Sequence, residues 1–254
     1  MLLVLCLGIA LAINLLLFFV AYHRKSDKLT DFAYALSFIS ITITAFSLSS
    51  IHSMVFTIAS GMVLLWALRL GTFLVYRILG TGVDRRFDGM RKDFVKFMRF
   101  WLGQGMVAWF LLLPLLSAAN RTSHPGPLSY IGIAIWLIGF TVEATADGQK
   151  YRFKQNPHNK DRWIAEGIWR YSRHPNYFGE ITIWIGIYVT VFGSLSALER
   201  VVGLASPLAI TISLLFISGV PILEKSADAK WGKDKGYQAY KRRTSLVVPW
   251  WRKA

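Results

Sequence analysis

Cysteine is almost absent from this chain of 254 residues, acidic residues are few, and charge of any sign is scarce. The single thiol, Cys6, sits in an apolar run away from any histidine or base, which excludes a disulfide framework and leaves it as inert packing. The five histidines are scattered without metal-ligand spacing, so no metal site is predicted, and His52 and His124 are assigned no role. No internal repeat, heptad pattern or low-complexity linker interrupts the chain. Nor is there a standard nucleotide fingerprint: Gly80-Thr-Gly82 is a fragment of a glycine-rich pattern, with no strand before it and no later glycine at the right offset. Charged residues make up 17% and hydrophobic residues 54%, against about 25% and about 45–50% in an ordinary soluble domain. Disorder requires low hydrophobicity and is excluded.

What is present is a series of long apolar runs. A span of the bilayer needs about 20 mostly apolar helical residues, because in lipid every backbone group must be satisfied internally. Residues 2–22 form such a run without a single charge. It is too long for a signal peptide and lacks the basic start of one, so it reads as a retained helix. Further runs cover about 32–51, 54–79, 100–119, 127–147, 177–195 and 201–223. Pro207 and Pro221 can kink the last of these, as a membrane bundle tolerates. The fold class predicted is an all-α integral membrane protein of seven transmembrane helices in a single domain, 1–254.

The charge that exists is lopsided: 29 Lys and Arg against 14 Asp and Glu, a formal +15. Sorted by connection, 26 basic residues fall on one face, only Arg121 and Arg200 on the other, and Arg69 inside a span. The positive-inside rule then places the N-terminus outside and the C-terminus in the cytoplasm. This distribution removes nucleic acid as the partner of a basic protein and leaves the lipid bilayer. The basic loops are in part a solvated flank; read functionally, they form a cytoplasmic mouth for a phosphorylated ligand or anionic headgroups.

Ionisable groups within spans are costly and mark candidate sites. Arg69, in Trp66-Ala-Leu-Arg69-Leu, needs an internal partner such as Glu143 or a bound anion. Glu143 and Asp147 are four apart, hence on one helix face, and Lys150, Tyr151 and Lys154 extend that surface. Such a face can hold ribose hydroxyls and phosphates, or it can be a ladder of i,i+4 ion pairs. Gln104 suits a hydrogen bond to a neighbouring helix. Tyr76, Trp101 and Trp109 suit packing or the interfacial belt.

The richest stretch is Arg170-Tyr-Ser-Arg173-His174-Pro175-Asn176-Tyr177-Phe-Gly179-Glu180, where a basic pair meets a proline and a helix begins. Backbone N–H groups at that start, with Arg173 and His174 just upstream, suit a phosphate or carboxylate. Gly179 allows a close approach of backbone or a flat ligand. Asn176 and Glu180 share a face that can read a ring edge. A plain helix start with interfacial aromatics fits the same composition.

Tyr151-Arg-Phe-Lys154-Gln-Asn-Pro157 and the stretch from Trp169 to Glu180 resemble the C-terminal half of the steroid 5-alpha-reductase superfamily, most closely its bacterial branch of unknown function. Glu224, Lys230-Trp231-Gly232, Tyr237, Tyr240 and Pro249-Trp250 resemble that superfamily's ending, including that of the sterol reductases. Trp66-Ala-Leu-Arg69-Leu and Asp84-Arg-Arg86-Phe resemble the bacterial branch as well. The resemblance runs from about residue 32 onward. It implies a seven-helix membrane fold in a bacterial cytoplasmic membrane, with NADPH held by residues 121–254 and a hydrophobic lipid or steroid-like substrate met by residues 1–120. Asp147, Arg152 and Lys154, with Glu143 and Lys150 beside them, would then hold ribose and phosphate. Arg173, His174, Asn176, Tyr177 and Glu180 would line the pyrophosphate and nicotinamide end. Glu224, Lys230, Trp231 and Tyr240 would close over the nucleotide, and Arg85 and Arg86 would assist with phosphate.

The chain also departs from the steroid reductases. They carry a Glu in the second helix and a Tyr in the third against the substrate's 3-oxo group. Residues 32–51 contain no Glu, and Arg69 stands near where the Tyr should fall. An Arg beside a developing enolate stabilises its charge, and because Arg stays protonated, Tyr76 or Tyr177 would donate the proton. The expected activity is NADPH-dependent reduction of a carbon–carbon double bond in a lipid, conjugated to a carbonyl. The alternative is an S-adenosylmethionine-dependent membrane methyltransferase of the isoprenylcysteine or phospholipid type, since those enzymes also carry an Arg-His-Pro-x-Tyr-x-Gly segment. Asn176, Glu180 and Lys230-Trp231-Gly232 favour the reductase. The sequence leaves the oligomeric state open.

Overall fold

The computed structural model describes residues 1–81 and 87–251, so Arg85 and Arg86 lie outside the described residues. Those residues are helical and contain no strand; only an isolated parallel bridge joins Ser172 to Ser245. Ten α-helices follow in order: α1 (Leu2–His23), α2 (Thr30–Leu48), α3 (Met54–Thr81), α4 (Phe94–Leu111), α5 (Leu113–Ala118), α6 (Pro127–Gln155), α7 (Pro175–Val191), α8 (Ala197–Ile212), α9 (Val220–Trp231) and α10 (Lys235–Arg243). Six stretches are long and apolar enough to cross a membrane: α1, α2, Met54–Gly80 of α3, α6, Pro175–Ser194 and Ala197–Trp231. The run expected at 100–119 is not among them. Its helix begins earlier, at Phe94, and so takes in Lys96 and Arg99. It ends at Leu111 because Pro114 has no N–H to continue the ladder, and α5 resumes one residue later.

Two compact units divide the chain: Met1–Tyr130 with Ile187–Ser206, and Ile131–Gly186 with Pro207–Ala254. In the first, α1 buries Cys6, Ala10, Asn14, Phe18 and Ala21, a stripe at helical spacing. A polar clasp crosses it. Gln104 of α4 donates to the Asn14 side-chain oxygen at 3.1 Å and to the Thr30 carbonyl at 3.0 Å, while Asn14 donates to the Ser37 hydroxyl at 2.8 Å. Gln104 thus does what a lone amide in a membrane helix was expected to do, and three helices are stitched without a net charge. Near the basic end, Arg91 pairs with Asp27 at 2.7 Å and Arg77 with Asp31 at 3.0 Å.

In the second unit, α6 and α7 meet at glycines. The buried stripe of α6 runs Gly132, Trp136, Gly139, Glu143, Ala146; that of α7 includes Pro175, Gly179, Ile183 and Gly186. A β-carbon on Gly179 would lie 2.6 Å from the Glu143 amide nitrogen and 2.8 Å from the Gly139 carbonyl. One on Gly139 would lie 2.7 Å from the Gly179 carbonyl, and one on Gly186 2.6 Å from the Trp136 nitrogen. Small residues that let backbones touch are how helices associate in lipid, where there is no hydrophobic drive between them. After α8, a five-residue π-helical segment (Ser213–Ile217) and Gly219 redirect the chain into α9; a side chain at Gly219 would strike the Leu214 carbonyl.

Overpacking a tight contact costs about 1–3 kcal/mol. Gly179→Ala is therefore expected to lower the melting temperature of the purified protein by several degrees. Gly103→Ala, at a half-buried helical site where a β-carbon would meet nothing within 4 Å, should leave it unchanged or slightly raised.

Candidate functional site

The second unit contains a cavity of about 250 Å³ at the basic end of α6, α7 and α9. Lys150 and Lys154 come from the last turns of α6, and Arg162, Trp163 and Ile164 from the loop that follows. Trp169, Arg173 and His174 come from the approach to α7, Glu224, Lys230 and Trp231 from α9, and Tyr237 and Tyr240 from α10. Five cations and several aromatic rings thus converge on one space, with Glu224 the only carboxylate in the lining among the described residues.

Glu224 is shared among three bases. Its carboxylate accepts from Arg173 at 2.6 Å, from His174 Nε2 at 2.9 Å and from Lys241 at 3.2 Å. Lys241 also contacts Asp228 at 2.7 Å, which raises its pKa against the opposing cost of burial. Burial pushes the His174 pKa below the ordinary imidazole value, with the hydrogen bond to Glu224 opposing that shift. His174 is therefore neutral near pH 7, with its proton on Nε2 toward Glu224. Its ring lies parallel to that of Tyr177, centroids 5.5 Å apart. Among the described residues, the buried His174 Nδ1 and Arg173 Nε have no hydrogen-bond partner.

The walls are held by the chain's own polar groups. Trp169 Nε1 donates to the Ala146 carbonyl at 3.0 Å, the Tyr240 hydroxyl to the Trp169 carbonyl at 2.9 Å, and Trp231 Nε1 to the Asp161 carbonyl at 2.8 Å. Lys150 lies 4.5 Å over the Trp169 ring and Lys230 pairs with Asp161 at 3.1 Å. Gly167, at φ +55°, brings the loop against Gln149, whose side-chain oxygen accepts from the Ile168 amide at 3.0 Å.

Of the residues singled out in the sequence, the structure gathers Lys150, Lys154, Arg173, His174, Glu224, Lys230, Trp231 and Tyr240 around this cavity. Glu143, Asp147, Arg152, Asn176, Tyr177 and Glu180 do not line it. Glu143 is buried in the glycine seam, and Arg152 is exposed with its Nε donating to the Gly148 carbonyl of its own helix. Arg69 is half-buried on α3 of the first unit, and Tyr76, 62% exposed, points off the same helix. Sequence reasoning missed Arg162, Trp163 and the cavity role of Tyr237. The available signal was basic and aromatic residues side by side in Asp161-Arg-Trp163, and the three-residue spacing of Tyr237 and Tyr240.

The family described as a protein of unknown function (DUF1295) matches residues 17–244. The chain belongs to this family. DUF1295 lies within the steroid 5-alpha-reductase superfamily, in agreement with the resemblance read from the motifs. The delta(14)-sterol reductase of Schizosaccharomyces pombe is 27% identical over 113 residues, covering 37% of this chain and 27% of that protein. An uncharacterized protein of the same yeast is 27% identical over 90 residues, covering 28% of this chain and 26% of its own length. The chain thus spans about a quarter of the length of these curated relatives. No solved structure matches it significantly. This DUF1295 protein is a steroid reductase-like, multi-pass helical protein.

Removing one partner of a well-buried ion pair costs about 3–5 kcal/mol. Glu224→Ala, which strips three bases of a shared acceptor, should destabilise the DUF1295 chain by an amount near the lower figure, read by chemical unfolding. Because the folded-state pKa of His174 lies below its unfolded value, the unfolded chain binds the extra proton first as the pH falls. That part of the stability is complete above about pH 6.5 and is lost as pH drops through the depressed folded value. The melting temperature should fall between pH 7.5 and pH 5, and less steeply in His174→Gln.

Proposed function

We propose that this protein is a membrane-embedded, NADPH-dependent reductase of a carbon–carbon double bond in a lipid or steroid-like substrate. The observation that carries the reading is the cavity of the second unit. Its five cationic side chains share the lining with aromatic rings, Lys150 over Trp169 and Lys230 over Trp231. Glu224, the only carboxylate in the lining among the described residues, is already committed to internal bases. That donor set fits a phosphorylated nucleotide: cations for phosphate oxygens, indole and phenol rings for a flat base. The buried His174 Nδ1 and Arg173 Nε are further hydrogen-bonding groups at the same place. When bound, NADPH would supply the hydride.

In this reading Lys150, Lys154, Arg162 and Lys230 bind phosphate, and Trp163 and Trp231 flank the base. Glu224 holds Arg173 and the His174 ring oriented, while burial keeps His174 neutral. Tyr177, parallel to the His174 ring, holds the proton delivered to the reduced carbon. Arg69 stabilises negative charge on a substrate carbonyl, replacing the pair it lacks as a relative of the steroid reductases. Tyr76, on the exposed side of α3, is the weaker of the two tyrosines for that proton. The hydrophobic substrate enters from the bilayer.

The charge distribution also supports a cytoplasmic C-terminus, with α4 and α5 together as the seventh crossing. A bacterial cytoplasmic membrane is the expected location. A reporter that matures only in the cytoplasm should be active when fused after Trp251 and inactive when fused before Met1.

A ligand that binds only the native state at 100 times its Kd stabilises it by about 2.7 kcal/mol. NADPH should therefore raise the melting temperature of the purified chain, and Lys154→Ala with Arg162→Ala should reduce the rise. A rise with S-adenosylmethionine and none with NADPH would establish the methyltransferase instead; no rise with either removes both. With an enone lipid present, Arg69→Ala should slow NADPH consumption about 10²–10³-fold, the loss typical of a missing oxyanion donor, while keeping the NADPH-induced shift.

A further inference from the structure

Beyond the cavity, the end of the chain presents an unusual surface. Helix α10 stops at Arg243, and beyond Ser245 the chain continues without regular structure, bending at residues 246–248. Backbone and side-chain hydrogen bonds pin this segment to the residues just before α7. The Arg173 amide donates to the Ser245 carbonyl at 2.9 Å, the Ser172 hydroxyl to the Val247 carbonyl at 2.6 Å, and the Trp250 amide to the Tyr171 carbonyl at 3.2 Å. Exposure alternates along the segment. Leu246, Val248 and Trp250 are 42%, 56% and 66% exposed, and Trp251 is 79% exposed. Val247 and Pro249 are half-buried between them. The segment thus presents a row of exposed apolar side chains.

Two further features identify what that row faces. The residues it is pinned to, 171–173, precede Pro175, where a helix apolar enough to cross a membrane begins. The segment is thereby held within a turn of the start of that helix. Around it, Arg170, Arg242 and Arg243 are exposed, and no acidic residue follows Asp234 to the end of the sequence. Tryptophan with aliphatic residues on one side and cations beside them is the composition of an interfacial anchor, and those cations match anionic headgroups.

We propose that residues 246–251 form an interfacial strap that docks on an anionic phospholipid leaflet. Leu246, Val248, Trp250 and Trp251 enter the edge of the hydrocarbon, and Arg170, Arg242 and Arg243 meet the phosphates. Because the strap is hydrogen-bonded to Tyr171, Ser172 and Arg173, its docking also fixes the depth at which the chain enters α7. The inference concerns the strap alone and does not depend on which cofactor the cavity holds.

The test uses the full chain. Its sole cysteine, Cys6, is fully buried, so a thiol-reactive spin label goes selectively to an introduced site. Leu246→Cys, Val247→Cys and Val248→Cys, each labelled separately, are placed in nanodiscs of phosphatidylglycerol or of phosphatidylcholine. In phosphatidylglycerol, labels at 246 and 248 should collide severalfold more with oxygen, which concentrates in lipid, than with a water-soluble nickel chelate. The label at 247 should be shielded from both. The lipid contact should weaken severalfold in phosphatidylcholine, and likewise in phosphatidylglycerol after R242E with R243E. Greater nickel access at 246 and 248 would overturn the proposal by placing the strap in water. Equal contact in both lipids and in the charge-reversed variant would overturn headgroup recognition. Spin–spin broadening between labels on different chains would show that a second copy covers the row instead.

Discussion

Close approach of two helix backbones is the constraint on which the second unit depends. Gly139 and Gly179 allow α6 and α7 to touch where any β-carbon would collide with backbone, and Gly186 repeats the contact two turns further along. In lipid this contact replaces the hydrophobic drive that water would supply. Its consequence is positional. With α6 and α7 locked at Gly179, the start of α7 with Arg173 and His174 and the last turns of α6 with Lys150 and Lys154 border the same cavity. The loop between them then closes the wall with Arg162 and Trp163.

Such a concentration of positive charge needs internal restraint, and Glu224 provides it. One carboxylate engages a guanidinium, an imidazole and an ammonium, and Lys241 carries the connection on to Asp228. The arrangement orients Arg173 and the His174 ring, which burial keeps neutral, while Lys150, Lys154, Arg162 and Lys230 remain in the lining. A single acid among many bases in the described lining leaves the cavity with an excess of positive charge. Helix α10 joins the same system through Lys241 from one side and through the Tyr240 hydroxyl on the Trp169 carbonyl from the other.

Much of this was legible from residue types alone. Apolar runs showed where helices would lie, and Gln104 behaved as an intramembrane amide should. The Arg173-His174-Pro175 turn did sit at a helix start, and the tail's Lys230, Trp231 and Tyr240 did return to it. The stretch at 100–119 was less legible, because Pro114 divides it and Lys96 and Arg99 fall within its helix. Spacing alone did not show that Glu143 lies outside the cavity lining. It shares a helix face with Asp147, but that face continues the glycine stripe, so the residue is buried beside Gly179 and does not line the cavity. Arg162 and Trp163 escaped notice because a loop has no periodicity to read.

The sequence by itself determined the class of the protein. Twenty-residue apolar runs have few stable forms other than helices in lipid, and basic residues sorted to alternate connections report topology, because both are local consequences of transfer free energy. Family membership was equally visible in the motifs at 151–180 and 224–250. Only the tertiary structure decided which of the many cations share a space, which carboxylate they surround, and which face of the tail turns outward. Those are matters of distance between segments fifty or more residues apart. They are set by where two glycines let backbones meet and by where backbone hydrogen bonds pin the end of the chain.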